Sequence, residues 1–266
     1  MVFNHNDGFE NEANRLRKFW NDRYHEFSLK ESGIKSLSAS YSELLYQCKR
    51  EAYEKAIRLK RINTGQPIKI LDAGCGQGYF AEQAVNIFPN VNYTGVDISQ
   101  KAIDYLRSKW PQQRWICENF CTSNFMPQES FDIIQSIEVL HLILDDGNHK
   151  QALINFGKHL QSKGMLVLTD GLPKVRTQIN DYIVFRPLGC YQEISQELNL
   201  EITDIYPMYY WVPDRGMRIW PLKYLFRGLP PYVVFKLDRI FLKLHVPQFR
   251  QSHDCAMKMI VMSNKS

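Results

Sequence analysis

The chain has 266 residues, 44% of them hydrophobic and 23% charged, with a formal net charge of +5. That is ample for one domain with a full core, and it excludes a disordered or fibrous chain. No stretch reaches the roughly 20 apolar residues of a membrane span, and the first twelve residues, MVFNHNDGFENE, are too polar and acidic for a secretory signal. A cytoplasmic protein is expected. The six cysteines form no Cys-x-x-Cys pair, which points to reduced thiols rather than to a zinc or redox site.

In chain order, residues 10–62 carry apolar positions at helical spacing, such as Leu16, Phe19, Trp20, Tyr24 and Phe27, with a Ser/Gly-rich break between two helices. From Ile68 strands and helices alternate: IKILDAG, YFAEQAVNIF, VNYTGVD, then SQKAIDYLRSKW with Ser99 as its cap. RWIC, FDIIQSIEV, the helix NHKQALINFGKHLQ and the strand GMLVLTDG continue the pattern. A connecting segment, a helix near LGCYQEISQEL and a strand near LEITDIYPMYYW follow, and CAMKMIVMS closes the chain. The reading is an α/β fold with a Rossmann-like, doubly wound, seven-stranded sheet whose last strand is antiparallel and placed at the edge. A single domain is expected, divided into an N-terminal helical cap (1–66), a core (67–206), an aromatic and basic insertion (207–253), and the last strand and tail (254–266). Between Pro207 and Arg250 eight Lys or Arg stand against two Asp, so the net charge belongs to the insertion.

The stretch ILDAGCGQGYF places Gly74, Gly76 and Gly78 directly behind a buried strand and Asp72. Alternating glycines let the backbone turn sharply and let a ligand lie against bare peptide groups. The turn sits where doubly wound sheets bind ligands, and Asp97 ends the next strand, where a carboxylate accepts both hydroxyls of a ribose. A nucleoside ligand follows. A dinucleotide fingerprint would need glycine where Tyr79 stands.

The Asp-x-Gly-x-Gly-x-Gly spacing resembles motif I of the class I S-adenosylmethionine-dependent methyltransferases. The resemblance runs over about residues 68–170 and includes LDAGCGQG, GVDIS, FDIIQSIEVLHLI and LQSKGMLVLTDG in the family's order. It implies S-adenosyl-L-methionine as cofactor, with Asp72, Gly74, Cys75 and Gly76 about its methionine portion, Asp97 on the ribose and Ile98 on the adenine. Asn119, with Glu118 adjacent on one side and Phe120 on the other, would stand where the family usually has an acid for the adenine amino group. Ser136 and Ile137 would face the transferring methyl.

Methyl transfer needs neither a nucleophilic residue nor a metal, and alignment of the reactants can supply about 7–11 kcal/mol of the acceleration. A hydroxyl acceptor benefits from a base. His141, after the fourth strand, is the candidate, against the plain reading of a packing histidine; Glu138 is a weaker candidate for acceptor contact. Asp145, Asp146 and His149 in LDDGNH invite a metal, but Asp-Asp-Gly-Asn ahead of a helix is ordinary capping chemistry, so no metal site is assigned.

The acceptor would be chosen by the aromatic flanks: Trp20, Tyr24, Tyr41 and Tyr46 on one side, Tyr209, Tyr210, Trp211, Trp220, Tyr224 and Phe226 on the other. Residues 230–246 have the pattern of a basic amphipathic helix, which can lie on an anionic membrane, close as a lid, form a dimer face, line a groove for an acidic substrate or pack inside. There is no nucleic-acid-binding module and no Asn-Pro-Pro-Tyr-type motif. The expectation is a methyltransferase of a small organic acceptor such as a natural product or sugar, at oxygen, with nitrogen or a lipid-linked acceptor as alternatives, and no nucleic-acid partner.

Overall fold

The computed structural model describes residues 5–27, 39–58, 67–126, 129–209 and 257–265, with a few positions between 230 and 240. Two helices, α1 (His5–Arg23) and α2 (Ala39–Arg58), precede the strands. The core then runs β1 (Ile68–Ala73), α3 (Tyr79–Ile87), β2 (Val91–Asp97), α4 (Gln100–Lys109), β3 (Arg114–Cys117) and β4 (Phe131–Ser136). A short 3₁₀ turn (Leu140–Leu142) leads to α5 (Asp146–His159), β5 (Leu160–Asp170), β6 (Thr177–Asn180), β7 (Ile183–Phe185), α6 (Leu188–Glu197), β8 (Leu200–Pro207) and β9 (Lys258–Asn264).

Seven strands form one sheet in the order β3-β2-β1-β4-β5-β9-β8. β9 runs antiparallel to both of its neighbours, β5 and β8, and the pairs among β3, β2, β1, β4 and β5 are parallel. This corrects one detail of the sequence reading. The last strand enters between β5 and β8 instead of lying at the edge, and its four consecutive buried residues, Met259 to Met262, fit a strand covered on both faces. The edge is β8, whose exposed and half-buried positions alternate. A second difference lies in the connecting segment after Asp170, which contains the antiparallel hairpin β6–β7, with a register shift between Gln178 and Asn180.

Because side chains alternate across a strand, each central strand feeds two cores. Ile70, Ile133, Val167 and Met259 point to one face, where Tyr53, Ala56 and Ile57 of α2 and Ile103 and Leu106 of α4 cover them. Leu71, Ile134, Leu168 and Ile260 point to the other, against Leu153 and Phe156 of α5 and Tyr191 and Ile194 of α6. The anticipated caps are present: the Ser99 hydroxyl accepts from Ala102 N at 3.3 Å, and the Asp145 carboxylate accepts from Asn148 N at 2.8 Å.

A buried polar chain ties α2 to the middle of the sheet. Tyr53 Oη donates to Gln135 Oε1 (2.6 Å), Gln135 Nε2 donates to Tyr93 Oη (3.0 Å), and Tyr93 Oη donates to Asp72 Oδ2 (2.6 Å). Fully satisfied networks of this kind fix one packing arrangement, because any broken member leaves a buried polar atom unpaired.

No helix among the described residues is long and apolar enough to cross a membrane. Most of the insertion lies outside the described residues, including Tyr210, Trp211, Trp220, Tyr224 and Phe226 and most of 230–246.

Gly95, in the middle of β2, is required by close approach. A Cβ there would come within 2.4 Å of the Trp115 ring and 2.9 Å of Cys75 Sγ. Gly95→Ala should therefore destabilise the protein by about 1–3 kcal/mol through overpacking, measured as a fall in the urea midpoint at unchanged slope.

Candidate active site

β1 ends in the glycine turn, and that turn is fastened to β2 rather than left free. Gly74, Gly76 and Gly78 have φ of +86°, +52° and +82°, a region that side chains with a Cβ rarely adopt. Gly74 N and Cys75 N both donate to the Val96 carbonyl, at 2.7 and 3.1 Å. One residue on, Gly76 N donates to Asp97 Oδ2 at 2.8 Å, while Asp97 Oδ1 accepts from Ser99 N at 2.8 Å. Burial raises the Asp97 pKa, and the N–H groups of Ser99, Gly76 and Ile98 oppose that rise.

Beyond the carboxyl ends of β1, β2 and β4 lies a cleft of about 1070 Å³, counted to its open mouth. Gly74, Cys75 and Gly76 form its floor, and Asp97, Ile98, Asn119 and Phe120 form one end. Ile137, Glu138 and Val139 line the β4 side. Opposite stand Tyr46 and Lys49 of α2 with Tyr79 and Phe80 of α3. The cleft therefore gathers Gly74, Cys75, Gly76, Asp97, Ile98, Asn119, Phe120 and Ile137, expected from the sequence to meet the cofactor, together with Glu138, Trp20, Tyr24 and Tyr46.

Three others are placed behind its wall. Asp72 is buried beneath the turn at the end of the Tyr53–Gln135–Tyr93 chain. Ser136 is buried and its hydroxyl donates to the Ala73 carbonyl at 2.9 Å. His141, on the 3₁₀ turn, is buried beside the Phe185 ring (centroids 5.6 Å apart) and is not among the residues lining the cleft. Burial, with the positive charges of Lys49 and Arg186, outweighs the pull of Glu138 and holds its pKa down at about 4, so the imidazole is neutral at pH 7.

α1 roofs the cleft with Glu12, Ala13, Leu16 and Trp20, joined by Tyr24 just beyond the helix. It is tied to both walls. Midway along the helix the Glu12 carboxylate accepts from Leu144 N (2.7 Å) and Asn148 Nδ2 (2.7 Å); near its C-terminal end Asn21 Oδ1 accepts from the Ser99 hydroxyl (2.8 Å) and Lys101 N (3.3 Å). The Tyr24 hydroxyl lies over Gly76, 2.9 Å from where a Cβ would stand. Tyr24 also stacks between Trp20 and Phe27, and Phe27 stacks on Tyr105 of α4 at 4.1 Å. The aromatic spacing of α1 foreshadowed this roof; the polar ties at Glu12 and Asn21 carried no local signal.

A charged cluster also lines the cleft. Lys49 Nζ pairs with Glu138 Oε2 at 2.9 Å, Tyr209 Oη donates to Glu138 Oε1 at 2.9 Å, and the Lys49 ammonium sits 4.4 Å from the centre of the Tyr46 ring. Lys49 was absent from the sequence reading, since 89 residues separate it from its partner.

Residues 70–164 match the family described as "Methyltransferase domain". That match covers the glycine turn, Asp97 and Glu138. Among curated proteins, the malonyl-[acyl-carrier protein] O-methyltransferase of Bacillus anthracis is 27% identical over 135 residues, covering 50% of this chain and 48% of that protein. The trans-aconitate 2-methyltransferase of Rhodopseudomonas palustris is 29% identical over 96 residues, 36% of this chain and 37% of that protein. The chain thus spans about half the length, or less, of the curated relatives it matches. Among solved structures, an O-methyltransferase of a polyketide synthase multienzyme from Brevibacillus brevis, crystallised with S-adenosyl-L-homocysteine, superposes with a TM-score of 0.58 at 16% identity, covering 87% of this chain and 81% of that one. The fold is that of this solved structure.

The buried carboxyl under the turn gives a pH prediction. Burial raises Asp72 to about 7, and hydrogen bonds from Tyr93 and Gln135 pull back only part of that rise. A raised carboxyl pKa means that the folded protein keeps a proton the unfolded chain has lost. Stability from this group is therefore full below its ordinary pKa near 4 and declines as pH rises towards 7. Between pH 4.5 and 7.5, urea unfolding should show wild type losing stability relative to Asp72→Asn, whose side chain does not titrate.

Proposed function

We propose that the protein is an S-adenosylmethionine-dependent methyltransferase that methylates oxygen on a small organic acceptor. The observation that carries this reading is one cleft lined by Asp97 and Asn119, by the bare backbone of Gly74 to Gly76, and by the charged Glu138 and Lys49.

The residues fit the cofactor chemically. Asp97 offers carboxylate oxygens to ribose hydroxyls, and Ile98 and Phe120 give apolar surface for an adenine ring. Asn119 Oδ1, which accepts from Cys121 N at 3.0 Å, retains a second lone pair for an amino group. The absence of a Cβ at Gly74 and Gly76 leaves room for a methionine portion against the peptide groups. When bound, the cofactor supplies an electrophilic methyl group on a sulfonium. The chain's part is to orient the acceptor on the axis of that methyl and to keep water out, which the aromatic roof of α1 serves. The names of the Bacillus anthracis and Brevibacillus brevis enzymes, both O-methyltransferases, support oxygen as the acceptor atom.

Isothermal calorimetry tests the cofactor half of the reading. Wild type should bind both S-adenosylmethionine and S-adenosylhomocysteine, and Asp97→Ala should weaken both by roughly 10- to 100-fold, in line with about 1.5–3 kcal/mol for hydrogen bonds to a charged acceptor. Failure of wild type to bind either ligand would overturn it. Because Asp97 must be ionised to accept both hydroxyls and its pKa is raised, affinity should also fall as the solution is made acidic.

A further inference from the structure

Resting on that reading, we infer that Glu138 is the residue that meets the acceptor, and that the acceptor group is a hydroxyl that donates a hydrogen bond to it, not a carboxylate. Three observations converge. First, Glu138 lines the cleft with its side chain 24% exposed, while its partner Lys49 is only 3% exposed. The pair thus presents more of the glutamate than of the lysine to the cleft. A carboxylate acceptor would meet like charge there, whereas an O–H finds a lone pair. Second, both oxygens are clamped, Oε2 by Lys49 at 2.9 Å and Oε1 by Tyr209 at 2.9 Å, and each keeps lone-pair capacity for one more donor. Third, Glu138 holds φ at +63°, costly for a residue with a Cβ, and its N–H is fixed to Thr169 Oγ1 at 2.6 Å. Such strain, of order 1–3 kcal/mol, persists only where the surroundings impose it and gathers at functional positions.

The chemistry balances with a weak base. A lone pair on the acceptor oxygen forms the new O–C bond as the C–S bonding pair leaves with sulfur. The methylated oxygen, now strongly acidic, then gives its proton to Glu138, from which it passes to water. The O–H pair stays on oxygen. Proton transfer after methyl transfer needs an ionised carboxylate and no high basicity. Burial by itself would raise Glu138, but the attraction of Lys49, that of His141 when charged, and the hydrogen bonds from Lys49 and Tyr209 outweigh it and lower its pKa. Tyr46 and Tyr79 stand around Lys49, whose own pKa is raised in spite of burial.

The test uses the full chain with S-adenosylmethionine, catechol and p-cresol as hydroxyl probes, and benzoate and malonate as carboxylate probes. Release of S-adenosylhomocysteine is followed, and binding of each probe to the S-adenosylhomocysteine complex is measured by calorimetry. The proposal expects the hydroxyl probes to bind and react in preference to the carboxylates. Glu138→Gln should lower kcat/KM by about 100-fold or more while its affinity for S-adenosylhomocysteine stays within about twofold of wild type. Lys49→Met is the second variant. With the neighbouring positive charge gone, the pH below which turnover is lost should move upward, a displacement that a purely structural role would not produce. Preference for the carboxylates, no hydroxyl probe bound or methylated, unchanged turnover in Glu138→Gln, or an acid limb that stays put in Lys49→Met would each overturn it. Wild type that binds no cofactor would instead sink the broader reading, so the two failures are distinguishable.

Discussion

The hydrogen bond from Gly76 N to the Asp97 carboxylate is the constraint on which the rest of the site depends. Together with the two donations from Gly74 and Cys75 to the Val96 carbonyl, it welds the turn after β1 to the end of β2. A carboxylate buried at that point is costly unless backbone N–H groups meet it, and Asp97 has them from Gly76 and Ser99. The same carboxylate is the group proposed to receive a ribose, so one side chain both organises the loop and stands at the proposed nucleoside end of the cleft. Its position is fixed by the parallel pairing of β1 with β2 from Ile68↔Val91 to Ala73↔Val96.

A second layer stands behind this one. Asp72 does not enter the cleft; it ends a chain of buried hydrogen bonds that begins at Tyr53 on α2. The acid that opens the glycine motif therefore couples the helical cap to the sheet. α2 also delivers Lys49 and Tyr46 to the cleft, so one helix supplies both the anchor beneath the turn and the charged end above it. In this protein the N-terminal cap is part of the site.

Much of this was legible in the sequence where the signal is local. Apolar runs of strand length alternating with helical periods gave the sheet, Ser99 and Asp145 announced helix starts, and the glycine spacing with Asp97 gave most of the cleft floor. What escaped detection depends on partners far along the chain. Nothing in CAMKMIVMS distinguishes an edge from a slot between β5 and β8, because both neighbours are chosen by tertiary packing. The β6–β7 hairpin is short and half polar, so its periodicity is faint. Lys49 reads as one of several lysines on a surface helix until the fold sets it against Glu138. His141 follows the fourth strand, where the sequence pattern put it at the edge of the cleft, yet the 3₁₀ turn carries its ring towards Phe185.

The polar ties of α1 set a length scale. Glu12 and Asn21 are nine residues apart, about 13–14 Å along a helix rising 1.5 Å per residue, and each grips a different bank of the cleft, one after β4 and the other at the start of α4. A rod held at two points behaves as a spacer: it holds the gap between the banks at one value and transmits any spreading of one bank to the other. Lengthening or shortening α1 between these two anchors would retune that gap without touching a single residue of the floor.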